Sequence, residues 1–95
     1  MALRWPPKDP DEELDYTHDW SPRGLTGDTI VSTTATVEDG DVTVEAHGVT
    51  DGETLKTTTW LSGGTAATEC TIALEAVTDD GRTLNETVKI RIRDR

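Results

Sequence analysis

The chain has 95 residues and a net charge of −10, from 19 acidic against 9 basic side chains. Leu, Ile, Val and Phe together number 18, which with so much charge favours disorder, yet Thr also numbers 18 and β-branched residues favour strands. The length allows one domain with a thin core that partners are expected to complete, and the acidity argues against nucleic acid and anionic membrane surfaces as partners.

The chain opens Met1-Ala2-Leu3-Arg4-Trp5-Pro6-Pro7, which has no apolar core of a signal peptide, so a protein made and kept in the cytoplasm is expected. Pro6, Pro7 and Pro10 lack amide donors and bias their predecessors to extended backbone. Residues 1–13 therefore read as an extended, Pro-rich acidic arm, with Trp5-Pro6-Pro7 outside any strand. Residues 14–95 read as the folded domain.

From Leu14 the period becomes two. Leu14, Tyr16, His18 and Trp20 alternate with Asp15, Thr17 and Asp19, the pattern of a half-buried strand. Ser21-Pro22-Arg23-Gly24 and Thr26-Gly27-Asp28 read as turns. Thr29 to Val37 is a β-branched run, and Asp39-Gly40 is a hairpin signal leading into a strand with Val42, Val44 and Ala46 on one face. After Asp51-Gly52, Leu55, Thr57, Thr59 and Leu61 share a face opposite Lys56, Thr58 and Trp60. Ser62-Gly63-Gly64-Thr65 reads as a loop. Cys70, Ile72, Leu74 and Ala76 then alternate with polar neighbours. Across the Asp79-Asp80-Gly81 turn, Glu69–Thr78 should pair with Arg82–Arg93, with burial starting near Val88. Six strands at this spacing predict an all-β antiparallel sandwich with an extended N-terminal arm, and no transmembrane helix. Val77-Thr78-Asp79, a Gly turn and Val88-Lys89-Ile90-Arg91-Ile92 resemble the terminal hairpin of immunoglobulin-like domains, which makes the expected fold an immunoglobulin-like sandwich.

Catalytic chemistry finds little support. Cys70 lies on an apolar face and reads as a small core hydrophobe. Two histidines and one cysteine give no zinc spacing. Asp39, Asp41, Asp51, Glu53, Asp79 and Asp80 sit in turns without a calcium-loop pattern, so hairpin chemistry explains them more simply. No cofactor or metal is expected. The tryptophans say more. Trp20 reads as core by burial preference. Trp60 shares a face with Lys56 and Thr58, so either that strand is buried on both faces or one face meets a partner. Trp5 could equally anchor a partner or pack back on its own domain.

Arg4-Trp5-Pro6-Pro7-Lys8-Asp9-Pro10-Asp11-Glu12, Leu14-Asp15-Tyr16, Asp19-Trp20-Ser21, Gly27-Asp28-Thr29-Ile30, Trp60-Leu61-Ser62-Gly63-Gly64-Thr65 and Gly81-Arg82-Thr83 together resemble the small tailed-bacteriophage proteins called fibre–tail adaptors. The likeness runs from Arg4 to about Arg93. It implies a non-enzymatic virion component that joins the tail tube or nozzle to fibres, with phage tail and fibre proteins as partners in a symmetric ring or other multi-copy assembly. A capsid decoration or head–tail joining protein, and an immunoglobulin-like carbohydrate-binding domain, are the competing expectations. The expected docking surface is Arg4, Trp5, Pro6, Pro7 and Lys8 together with Trp60, Ser62, Gly63, Gly64 and Thr65.

Overall fold

Alternating β-branched and polar residues give a stack of two sheets in the computed structural model, which describes residues 3–25 and 27–94. The strands are β1 (Leu3–Lys8), β2 (Leu14–Asp19), β3 (Ile30–Asp39), β4 (Val42–Val49), β5 (Lys56–Gly63), β6 (Thr68–Thr78) and β7 (Thr83–Ile92), with one 3-10 turn at Ser21–Arg23. The larger sheet has the order β1-β7-β6-β3 and the smaller β2-β5-β4. Every ladder is antiparallel except β1 on β7, which is parallel. The class is all-β, as expected, and the layout is compatible with an immunoglobulin-like sandwich. The overall extents are 41 × 26 × 17 Å; the short dimension is what two facing sheets about 10 Å apart require.

The core lies where the alternation puts it. Cys70, Ile72, Leu74 and Ala76 of β6 lie beside Val88, Ile90 and Ile92 of β7 on the inner face of the larger sheet, and all seven are buried. From β5, Thr57, Thr59 and Leu61 point inward and Trp60 outward. Burying a Leu, Ile or Val side chain contributes about 1.5–3 kcal/mol relative to leaving it exposed. Trp20 fills the end of the core, fully buried, with its indole N–H donating to Thr57 Oγ1 at 3.1 Å. Leu25, between two turns and outside any periodic run, is buried as well.

Three expectations are corrected. The Pro-rich segment is extended, but Leu3–Lys8 is not outside the strands: it is the edge strand β1. Its ladder with β7 is irregular between Trp5 and Lys8, where Pro6 and Pro7 have no N–H to give, and prolines are tolerated at a sheet edge. Asp39-Gly40 is a turn but not a ladder hairpin, because β3 pairs with β6 while β4 pairs with β5. The chain changes sheets there. Gly40 has φ +97°, and a Cβ on it would lie 2.4 Å from Cys70 Sγ, so this crossing needs glycine. In β4, a register shift between Val44 and Ala46 turns Ala46 outward and brings His47 in, as a bulge does. Met1 and Ala2 of the expected arm, and Thr26 of the second expected turn, lie outside the described residues.

The turn-rich end of the sandwich is closed by Asp28, whose side chain is fully buried. Its Oδ1 accepts from the N–H of Thr29 at 2.8 Å and of Asp80 at 3.2 Å, and Oδ2 accepts from Arg82 at 2.6 Å. Burial pushes the Asp28 carboxyl up, but the Thr78 hydroxyl, the Thr29 N–H, the Arg82 guanidinium and the Asp80 N–H together outweigh it and hold the carboxyl at about 2, below its ordinary 3.8. A folded-state value below the unfolded one stabilises the protein above the unfolded value and is lost as pH falls towards the folded one. Asp28→Asn should therefore lower Tm near neutral pH by about 5–10 °C. It should also flatten the fall of Tm between about pH 4 and 2. Thermal unfolding followed by circular dichroism across that range checks both; an unchanged acid limb contradicts the assignment.

Candidate functional site

The residues expected to dock a partner divide between the two sheets. Arg4 is exposed on β1 and pairs with Glu69 of β6, which Lys89 of β7 also approaches at 3.7 Å. Trp5 turns the other way. Its ring lies 4.8 Å from that of Tyr16 with an interplanar angle of 7°, and it packs on the core. The Tyr16 hydroxyl in turn donates to the Pro6 carbonyl at 3.1 Å. Since Tyr16 belongs to the smaller sheet, this stack bridges the layers. Trp5 thus packs back on its own domain, which was one of its two open readings.

Lys8 is fully buried. Its ammonium donates to the carbonyls of Asp9 at 2.7 Å and Gly63 at 2.6 Å, joining the end of β1 to the end of β5. The two halves of the expected surface therefore do meet, but at Lys8 and Gly63 they meet inside the protein. Ser62 and Gly63 finish β5 rather than forming a loop. Gly64, at φ +100°, sits against Ile92, where a Cβ would lie 2.9 Å from its side chain. The exposed Thr65 donates its N–H to Asp41 Oδ1 at 3.0 Å and its hydroxyl to Oδ2; both hydrogen bonds hold the Asp41 carboxyl below its ordinary value. Among these residues Arg4, Pro6, Trp60 and Thr65 are exposed, and Lys8, Gly63 and Gly64 hold the sandwich together.

Trp60 is the large aromatic left on the surface, 41 % exposed on the outer face of the smaller sheet. In register it lies between Asp15 of β2 and Ala46 of β4. Beside it runs an open groove of about 480 Å3 whose walls include Asp15, Gly48, Val49, Thr50 and Asp51. Charge is distributed unevenly around this face. Arg4, Lys89 and Arg91 belong to the larger sheet, Arg82 to its β6–β7 turn, and Arg23 reaches across to Glu86. The smaller sheet's strands carry one cation, Lys56, paired with Glu53 at 3.0 Å.

His47, brought inward by the β4 bulge, was not among the expected site residues; plain alternation put it outside. Its Nδ1 lies 2.7 Å from Thr59 Oγ1 and its Nε2 2.7 Å from Thr33 Oγ1, and the Thr33 hydroxyl donates to the Glu75 carbonyl at 2.7 Å. With its proton committed to Glu75, Thr33 must accept from Nε2–H, and Thr59 donates to Nδ1. The neutral ring therefore completes a directed chain between the sheets. Burial lowers the His47 pKa from 6.5. His18, edge-on to Trp20, is also lowered from 6.5, chiefly by burial, with Arg23 adding to the shift and Glu86 and Asp19 opposing it.

Two outcomes follow from this geometry. Trp5→Ala should destabilise the fold by about 2–3 kcal/mol, because it empties an interlayer stack, while Trp60→Ala should cost less than about 1 kcal/mol; urea unfolding of the two variants distinguishes them. Both histidines bind their proton less readily in the folded state, so stability should be complete above the unfolded value of 6.5 and decline as pH falls through it. Tm scans between about pH 7.5 and 5 should show that decline, and a shallower one in His47→Gln.

A family model described as podophage GP4 fiber-tail adaptor protein gp77 matches residues 8–91. The match begins at the buried Lys8 and spans β2 through most of β7, leaving most of β1 outside it. No curated protein matches the chain. A match over most of both sheets places this chain in the podophage fiber-tail adaptor family.

Proposed function

We propose that this chain is a non-enzymatic part of the phage virion that joins tail to fibre through two chemically unlike faces of a single sandwich. Membership of the fiber-tail adaptor family carries the reading. The charge distribution supports it: an adaptor has to hold two different neighbours, and the outer faces of its sheets differ. One presents Arg4, Lys89 and Arg91 around Glu69; the other presents Trp60 with Asp15 and Asp51. Arg4 and Pro6 on the first side, and Trp60 and Thr65 on the second, are the docking positions that the fold leaves accessible.

The protein works in several copies around the tail axis, since each face is small and repetition multiplies weak contacts. It is made in the host cytoplasm and incorporated into the particle there. The net charge of −10 supports protein rather than nucleic acid as the partner, and among the described residues no helix is long and apolar enough to cross a membrane.

Particles assembled without this chain should have tails that lack fibres, and adding the purified protein should restore fibre attachment in a sedimentation assay. Fibres that attach equally well in its absence would overturn the reading.

A further inference from the structure

The groove beside Trp60 has a floor but no occupant among the described residues. In the ladder of the smaller sheet, Gly48 stands opposite Thr58 and Ala46 opposite Trp60. The small residues leave one flank of the indole uncovered, and a Cβ built on Gly48 would meet nothing within 4 Å. Asp15 and Asp51 edge the hollow. Among the described residues neither carboxylate has a hydrogen bond or ion pair, whereas Arg4, Arg23, Lys56, Arg82 and Lys89 are each committed to other acids.

The hydroxyl and imidazole groups of this face are largely engaged with one another, and the Trp60 indole N–H is the side-chain donor left over. Thr58 Oγ1 lies 2.7 Å from Thr50 Oγ1 and 3.3 Å from Thr17 Oγ1. Both His47 nitrogens are engaged by Thr33 and Thr59. Apart from that indole N–H, the groove offers an aromatic face and two unpaired carboxylate acceptors. The ligand that fits best therefore brings donors and needs few in return. Guanidinium and ammonium groups have that property, and both are attracted to the face of an indole. Their aliphatic stems also cover apolar surface, which a bare metal ion cannot do. The same chain shows this contact elsewhere, with the Arg23 guanidinium 5.6 Å from the Trp20 ring centroid.

We propose that the groove is the docking site for an arginine- or lysine-bearing segment of a partner protein, its cation seated over Trp60 between Asp15 and Asp51. The inference rests on the adaptor reading for the partner being a virion protein, and on the groove alone for its chemistry.

The test has two arms. In the first, a capped tetra-arginine peptide is titrated into the full chain at low salt while the three tryptophan indole N–H signals are followed by NMR. The Trp60 signal should shift saturably. The apparent affinity should fall at least about tenfold in the Asp15→Asn/Asp51→Asn double variant, as loss of about 1.4 kcal/mol requires. Gly48→Leu, which enters open space, should keep the fold and block the shift. A Trp60 signal that ignores the peptide, a response unchanged by the double variant, or a response to maltotriose in place of the peptide would each overturn the proposal, the last in favour of carbohydrate. In the second arm, Gly48→Leu is added to fibreless particles and should restore fibre attachment at least about tenfold less well than the parent chain. Full restoration by Gly48→Leu would sink the groove as a docking site while leaving the adaptor reading intact. Attachment that needs no adaptor at all would instead remove the adaptor reading.

Discussion

A single buried ammonium decides how this sandwich is closed. Lys8 ends the first strand of the larger sheet, yet it donates to Gly63 at the end of the smaller sheet's central strand. Its burial is tolerable because carbonyl oxygens replace the water that the charge loses. With Lys8 fixed there, β1 must run along β7, and the two prolines fall at a sheet edge where missing donors do no harm. Trp5 is then carried onto Tyr16, and the indole that could have been a free anchor becomes part of the interlayer contact. What is left outside is Trp60. The division between residues that hold the fold and residues that can meet a partner follows from where Lys8 sits.

The rest of the closure uses the same strategy. A chain with so few aliphatic side chains cannot fill the space between two sheets with hydrocarbon alone. It places polar groups at the joints and satisfies each one. Asp28 binds the β6–β7 turn, Thr57 receives the Trp20 indole, and His47 runs a hydrogen-bond chain from Thr59 to Thr33. Among the described residues no buried side-chain nitrogen or oxygen lacks a partner. Such joints are directional, so they fix how the layers sit on each other. They are also sensitive to protonation, in a way a larger apolar core would not be.

Strands β2 and β5–β7 and their buried faces were legible because period-two alternation is a direct record of which side of a sheet is covered. Tyr16, Trp20, Leu61, Cys70 and Val88 all lie where that rule puts them. The rule failed where the backbone breaks it. In β4 one extra residue reverses the faces after Val44, so Ala46 and His47 exchange roles. At Gly40 the turn chemistry is right, but turn residues do not say whether the strands they join share a sheet. Strand β1 was hidden because its two prolines and the buried Lys8 obscure any alternation. Lys8 and Asp28 left no local signal, because a charge is buried only by virtue of partners far away in sequence. The segments that carry the family likeness meet in pairs: Trp5-Pro6 with Tyr16, Lys8 with Gly63, Asp28 with Arg82. Those motifs are therefore chiefly joints of the fold. The groove proposed for docking takes Asp15 and Trp60 from them, whereas Gly48 and Asp51 belong to none of the quoted segments.

This separation bears on how an adaptor so small can hold two neighbours. If the same residues closed the fold and met the partners, every change of partner would also threaten the sandwich. Here the joints lie between the sheets and at their ends, whereas the outer faces carry side chains whose replacement costs little stability. The faces also differ in charge, so a cationic neighbour suited to Trp60 and its flanking carboxylates would meet like charges at the Arg4–Lys89–Arg91 side, and an anionic one suited to that side would meet like charges at the groove. Selection by mismatch of this kind orients a part as well as binding it. A thin sandwich is enough for that purpose, because an adaptor needs two distinct surfaces held at a fixed distance more than it needs a deep interior.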